Sequence, residues 1–269
     1  MRISFASSPR PGRENEDFVI ASPDVAVVLD GAGIPDGLST GCVHGVPWFV
    51  QQLGTELHRR AVEQQAGLTE CLADSIHHVS QLHASTCDLS NPMTPTATVA
   101  MVRVRGESLE WLALSDSTIV INGRDGLQAV SDHRVSDVTA SQRIDMAAAL
   151  KGLSETDRRR RLAYAQRDVM NQAEGYWVAA HDPKAAEEAL MGSSPLVDVR
   201  TVALLTDGAA RPVDDFHEMT WTEAMHHLES EGPEGLIDRT RAMENADPNA
   251  ERWPRRKCHD DATAALLRF

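Results

Sequence analysis

Aromatic side chains are scarce: Phe, Trp and Tyr make up 4% of the 269 residues. A core must therefore be built from Ala, Val, Leu and Ile. Basic residues are also in deficit, with 26 Lys and Arg against 40 Asp and Glu, a formal net charge of −14. So acidic a chain has no overall field to draw in nucleic acid or anionic lipid, and neither is expected as a partner. Long apolar runs are missing. Residues 25–29 and 202–205 are among the longest, far below the roughly 18 needed to cross a bilayer. The first 17 residues turn polar at once and lack the apolar stretch of a secretory signal. The expected location is the cytoplasm. Cysteine is sparse as well: Cys42, Cys71, Cys87 and Cys258 lie far apart in the chain, form no CxxC pair and read as free thiols.

What is present is ordinary for a globular chain, with 42% hydrophobic and 25% charged residues. That balance excludes collagen-like, coiled-coil and wholly disordered states. Strand signals fall at residues 3–6, 18–21 and 25–29, the last ending abruptly at Asp30-Gly31. A glycine-rich loop occupies 31–45. Helical spacing of apolar residues follows over 47–65 and 68–87. Four strands are expected at 96–103, 108–115, 118–122 and 127–130, with hairpin-turn chemistry at Asn122-Gly123-Arg124-Asp125-Gly126. Residues 136–172 read as helical and charged, and 183–191 as helix-like. Residues 199–205 form a strand pattern, 221–229 and 234–246 helical patterns, and 262–269 a last strand. This order is no regular βαβ alternation, so an α+β layer fold is favoured.

The aspartates carry the functional signal. Asp30 and Asp207 each follow an apolar strand and precede a glycine; Asp260 and Asp261 precede the terminal strand; Asp17 precedes a strand; Asp116 sits between two. Such positions are able to converge on one edge of the sheets. Unpaired, the cluster repels itself and raises its own pKa values. A hard divalent cation such as Mg²⁺ or Mn²⁺, which prefers oxygen ligands, removes that cost. A single Asp-Gly pair is ordinary turn chemistry; the set is not.

Six motifs then resemble the metal-dependent protein phosphatases, the protein phosphatase 2C family in its bacterial form. They are Asn15-Glu16-Asp17, Leu29-Asp30-Gly31-Ala32-Gly33, Thr96-Ala97-Thr98-Val99, Leu114-Ser115-Asp116-Ser117, Leu204-Leu205-Thr206-Asp207-Gly208 and Asp260-Asp261-Ala262-Thr263, in the family's order over essentially the whole chain. Asp132-His133 is similar to a further element. The resemblance implies one catalytic domain over 1–269, a four-layer αββα sandwich of two antiparallel sheets flanked by helices, with a variable flap at about 135–180. It implies two Mn²⁺ or Mg²⁺ ions, with a third as an open alternative. Asp30 would bridge both ions, the Gly31 carbonyl would bind one, Asp207 and Asp260 would hold the first, and Asp17, with Glu16 as a further candidate, would act on the second. Asp116 matches the position of a third, weaker ion. The implied reaction is hydrolysis of phosphoserine or phosphothreonine by a hydroxide shared between the ions. The implied partners are phosphoproteins of a serine/threonine kinase pathway.

Some positions depart from the pattern. The phosphate-gripping Arg expected five residues before the first Asp is Gly12 here; Arg13 is the first candidate for that role and Arg10 the second. Ser115-Asp116-Ser117-Thr118 stands where the family reads Gly-Asp-Ser-Arg. Asp261 takes a place usually held by Asn, and no His follows Asp30-Gly31. Phosphorylated metabolites as substrates, or a weakly active module binding phosphoproteins or a kinase, are the alternatives. Arg158-Arg159-Arg160-Arg161 reads as a solvated helix face, Tyr176-Trp177 as packing under the flap, and Met146, Met170 and Met191 as core fillers. The pairs His77-His78 and His226-His227 read as surface positions, about 100° apart on a helix.

Overall fold

The strand at residues 25–29 is apolar at every position, which requires cover on both faces, and the structure supplies it. The computed structural model describes residues 1–34, 37–63, 65–255 and 257–269. Pro35 and Gln64, inside the loop and helix read from sequence, lie outside the described residues. Strand β3 (Val25–Ala32) turns Val25, Val27 and Leu29 toward helices α1 (Gly45–Glu63) and α2 (Leu68–His83). Its Ala26 and Val28 face the opposite sheet.

Two antiparallel five-stranded sheets result. One runs β2 (Asp17–Ala21), β3, β4 (Thr96–Arg105), β5 (Ser108–Leu114), β8 (Leu190–Pro195). The other runs β1 (Arg2–Ser8), β10 (Ala262–Arg268), β9 (Val199–Leu205), β6 (Thr118–Gly123), β7 (Gly126–Val130). Between them packs an aliphatic layer including Val102, Ile119, Val202, Leu204 and Leu267. Helices α6 (Asp207–Asp214) and α7 (Trp221–Ala246) cover the second sheet's outer face, where Leu228, Leu236 and Ile237 meet Leu205 and Leu266. This is the α+β sandwich expected, filled by small aliphatic residues as the aromatic shortage requires.

Most elements fall where the sequence puts them. The β6–β7 hairpin closes over Arg124-Asp125, with Gly126 at a φ of 118°. Helix α7 starts on a capping box of Thr220 and Glu223 and breaks at Gly232, whose φ is 78°. Residues 136–172 divide into α3 (Arg134–Asp145), α4 (Ala147–Leu150) and α5 (Glu155–Asp168).

Two elements differ from the sequence reading. Residues 183–191 are not one helix: a 3-10 turn, Pro183–Glu188, gives way to edge strand β8, paired with β5. Helix α6 begins at Asp207 itself, where the sequence pattern shows only a strand end. Met191 is no core filler; on the edge strand it is 57% exposed. Arg158 to Arg161 are exposed, with Arg159 paired to Glu155. Tyr176 is buried and Trp177 packs against the α1–α2 core, as expected. Among the described residues no helix is long and apolar enough to cross a membrane.

Candidate metal centre

Antiparallel register brings the first two acids together. Asp17, the first residue of β2, lies opposite Asp30 near the end of β3, and Asp30 lies opposite Thr98 of β4. The second sheet ends beside them. Thr206, after β9, donates its hydroxyl to Asp17 Oδ2 at 2.9 Å and accepts the Thr263 N–H of β10 at 2.9 Å. One threonine thus joins both sheets at the cluster. Asp207 follows it as the first residue of α6, and Asp260 precedes β10. Asp116 lies where the chain crosses from β5 to β6.

The two Asp-Gly pairs have a packing reason other than turn chemistry. A Cβ on Gly31 would lie 2.3 Å from the Glu16 carbonyl oxygen and 2.5 Å from Val46 Cγ1. A Cβ on Gly208 would lie 1.9 Å from the Asp261 carbonyl oxygen. Neither glycine needs a positive φ; each lets another backbone come close beside an acid. The Gly31 N–H also donates to the Glu16 carbonyl at 3.0 Å, tying β3 to the segment before β2.

The electrostatics are those of a crowded anion site. Asp30 titrates well above the usual carboxylate range, first through burial, then through the charges of Asp207, Asp17, Asp260 and Asp116. Asp17 is also pushed well up, by burial foremost, against the hydrogen bonds of Thr263 and Thr206. Its Oδ1 is buried and accepts no hydrogen bond. Glu16 is raised too, by burial ahead of the opposing Arg10 and Lys257. A buried carboxylate oxygen without a donor is costly. Hard oxygen donors crowded in this way fit a divalent cation of the Mg²⁺ or Mn²⁺ type.

Two cations in the cluster escape sequence inspection. Lys257 Nζ reaches Asp260 Oδ1 at 2.6 Å, and Arg211 Nη2 reaches Asp260 Oδ2 at 3.2 Å. Arg211 is buried and also pairs with Glu244 at 2.5 Å. These cations partly offset the acids. Arg211 lies one helical turn after Asp207, a spacing legible once α6 is known. Asp261 holds backbone instead. Its Oδ1 accepts the Arg10 N–H at 2.7 Å and its Oδ2 the Glu16 N–H at 3.1 Å. One carboxylate thus clamps both ends of the 10–16 loop.

The two candidate phosphate-binding arginines are placed differently. Arg10 points at Glu16, with Nη2 3.6 Å from Oε2, and is mostly covered. Arg13 is exposed at the loop tip, its N–H donating to the Arg10 carbonyl at 3.3 Å. Ser115 keeps a φ of 65°, a conformation suited to the Gly of the family motif, and its carbonyl accepts the Asp132 N–H at 3.0 Å. Asp132 in turn holds Arg134 at 2.7 Å, anchoring the start of α3.

Comparison with known proteins agrees with this architecture. Residues 12–243 match the family described as "Protein phosphatase 2C". The serine/threonine phosphatase Stp1 from Staphylococcus aureus superposes with a TM-score of 0.59 at 15% identity, covering 99% of this chain and 94% of that one. PppA, from Pseudomonas aeruginosa, gives 0.57 at 17% identity, covering 99% and 96%. The catalytic domain of the serine/threonine phosphatase PstP, in complex with two manganese ions, gives 0.56 at 15% identity, covering 98% and 96%. At these identities the structures speak for the fold. No curated protein matches the chain.

Proposed function

The chain belongs to the protein phosphatase 2C family of metal-dependent phosphoprotein phosphatases, and from that premise we propose that Asp17, Asp30, the Gly31 carbonyl, Asp207 and Asp260 hold a pair of Mn²⁺ ions against phosphoserine or phosphothreonine substrates. The observation that carries it is the buried, donorless Asp17 Oδ1 among carboxylates from the ends of both sheets. The two manganese ions of PstP support the choice of metal. When bound, such a pair acts as a Lewis acid on water and on the phosphoryl group. Asp116 is the candidate for a weaker third ion.

The chain's own residues supply the rest. Thr206 fixes the rotamer of Asp17, and Asp261 fixes the loop that carries Arg10 and Arg13. Lys257 and Arg211 each pair with one oxygen of Asp260 and hold its carboxyl in place. Arg13, exposed at the rim, is the group that grips the substrate phosphate; a planar guanidinium does so through two parallel bonds. Arg10 is engaged with Glu16 and braces the loop. The segment from about 135 to 180 forms the flap of a single catalytic domain, with exposed Arg158 to Arg161 on its outer face. The phosphoprotein substrates belong to a serine/threonine kinase pathway in the cytoplasm.

The deciding experiment is a panel of phosphoserine, phosphothreonine and phosphotyrosine peptides, with p-nitrophenyl phosphate and small phosphorylated metabolites alongside. With Mn²⁺ present, the first two peptide classes should turn over fastest, and EDTA should abolish all turnover. Undiminished turnover in EDTA, or a preference for metabolites, would overturn the reading.

The arginine assignment has its own test. Arg13→Ala should raise KM about tenfold with little change in kcat, the signature of lost ground-state binding, about 1.4 kcal/mol. Arg10→Ala should raise KM less. The reverse order would transfer the role to Arg10.

A further inference from the structure

The four cysteines read from sequence as separate free thiols, but the fold brings two of them together with a histidine. Cys42 lies in the loop before α1, and Cys87 lies four residues past the end of α2. Their sulfurs are 3.6 Å apart across 45 residues of chain. His83, in the last turn of α2 and 2% exposed, places Nδ1 3.6 Å from Cys42 Sγ. One ligand atom from each of the three residues lies within 4.8 Å of the others.

The Cys42–Cys87 and Cys42–His83 separations are close to those a tetrahedral ion imposes. With Zn–S of about 2.3 Å and Zn–N of about 2.0 Å, tetrahedral angles put two sulfurs about 3.8 Å apart and a sulfur about 3.5 Å from a nitrogen. A disulfide would need the sulfurs near 2.05 Å. The surroundings of Cys87 also suit thiolate. Backbone N–H groups of His44 and Gly45 are directed at Cys42, and those of Val43 and His44 at Cys87. Amide donors on sulfur stabilise negative charge there, as for any anion at backbone N–H groups. Burial raises the Cys42 thiol, whereas for Cys87 burial is outweighed by the Val43, Thr86, Cys42 and His44 hydrogen bonds and the thiol is held below its usual range. The His83 ring is oriented by Trp48 at 5.1 Å between centroids, and Trp48 stacks on His44 at 4.3 Å.

We propose that Cys42, His83 and Cys87 form a zinc site, separate from the carboxylate cluster, that staples the loop before α1 to the end of α2. Two sulfurs and an imidazole select a borderline-soft ion such as Zn²⁺ over Mg²⁺ or Mn²⁺. Binding exchanges two thiol protons, released to solvent, for the ion, with no change of oxidation state. The fourth position is left to water or to a nearby side chain such as His44, its ring centroid 6.2 Å from that of His83. The location gives the staple a purpose. Val46 and Val50, in the first turns of α1, press on the backbone of Gly31. Fixing the start of α1 therefore braces the strand end that carries Asp30 and Gly31. Among the described residues the loop is also tied to the segment after α2 by the Asp88 N–H to the Gly41 carbonyl at 2.9 Å and by Asn91 Nδ2 to the Ser39 carbonyl at 3.3 Å.

The test is metal content of the full chain purified under reducing conditions, then reconstituted with Zn²⁺ and desalted. Wild type should retain about one equivalent of zinc; Cys42→Ser and Cys87→Ser should each retain almost none. Asp30→Asn should keep its zinc, which separates this site from the phosphatase centre whatever the activity shows. If the serine variants fold poorly, Co²⁺ added to wild type decides instead: visible bands of a tetrahedral site with sulfur-to-metal charge transfer are expected. Zinc content unchanged in Cys87→Ser, no bound zinc or cobalt in wild type, or a Cys42–Cys87 disulfide that persists in reductant would each overturn the proposal.

Discussion

Asp30→Asn should lower kcat by at least about a thousandfold, equivalent to about 4 kcal/mol of lost transition-state stabilisation, while the fold survives. Both halves of this outcome follow from where Asp30 sits. Its backbone closes the β2–β3 ladder opposite Asp17 and is an interior pair of the β3–β4 ladder opposite Thr98, and an amide side chain leaves both pairings untouched. Its carboxyl feels Asp207, Asp17, Asp260 and Asp116 at once. Asparagine keeps the shape and one acceptor oxygen but removes the negative charge that holds hard cations. Circular dichroism should be unchanged, and rates with p-nitrophenyl phosphate should stay low even at high Mn²⁺. A variant with near-normal kcat would remove Asp30 from the centre. A variant restored fully by millimolar Mn²⁺ would reduce it to an affinity ligand. Asn at position 261, by contrast, should be mild, because the side chain there accepts two backbone N–H groups and an amide still accepts one.

The parts of this site legible in the sequence are those whose physics is local. Strands β3, β9 and β10 are buried on both faces and read as continuous apolar runs, so the acids at their ends fall on strand termini by inspection. The convergence of those ends is readable only as a family resemblance, since spacing alone does not say that Asp17 meets Asp30 or that Thr206 bridges to Asp17. Edge strand β8 hides because it is exposed and ends in Gly, Ser and Pro without alternation; its Gly192 is covered by Trp111, where a Cβ would lie 2.3 Å from the indole, a relation no alternation pattern reports. Helix α6 hides because eight residues with an internal Pro212 carry too little periodicity. With that helix unseen, Arg211 is concealed as well. Lys257 and the Cys42–Cys87 contact are products of loop packing, which sequence patterns do not encode.

Mn²⁺ should raise the melting temperature of the EDTA-treated protein by about 5–10 °C when present at about 100 times its dissociation constant, a linkage of about 2.7 kcal/mol in a chain of this size. The metal-free protein carries an internal penalty that the ion relieves. Asp17 and Asp30 titrate above their unfolded values, with burial the first cause in each. For a carboxylate raised in the folded state, the stabilising contribution is complete below the unfolded pKa and is lost as pH rises through the folded one. The chelated protein should therefore lose stability from this cluster as pH climbs above the ordinary carboxylate range. The Mn²⁺ shift should grow over the same interval, because deprotonated acids bind the ion more tightly. Lys257 sharpens the experiment. It stands 2.6 Å from Asp260 and supplies positive charge that the ions would otherwise provide. Lys257→Met should lower the melting temperature in EDTA and widen the Mn²⁺ shift beyond that of wild type, since a resident cation no longer opposes the incoming one. Differential scanning fluorimetry at several pH values, with and without Mn²⁺, reads each of these effects. A shift that shrinks as pH rises, or one that Lys257→Met abolishes, would mean that these carboxylates do not share a bound ion.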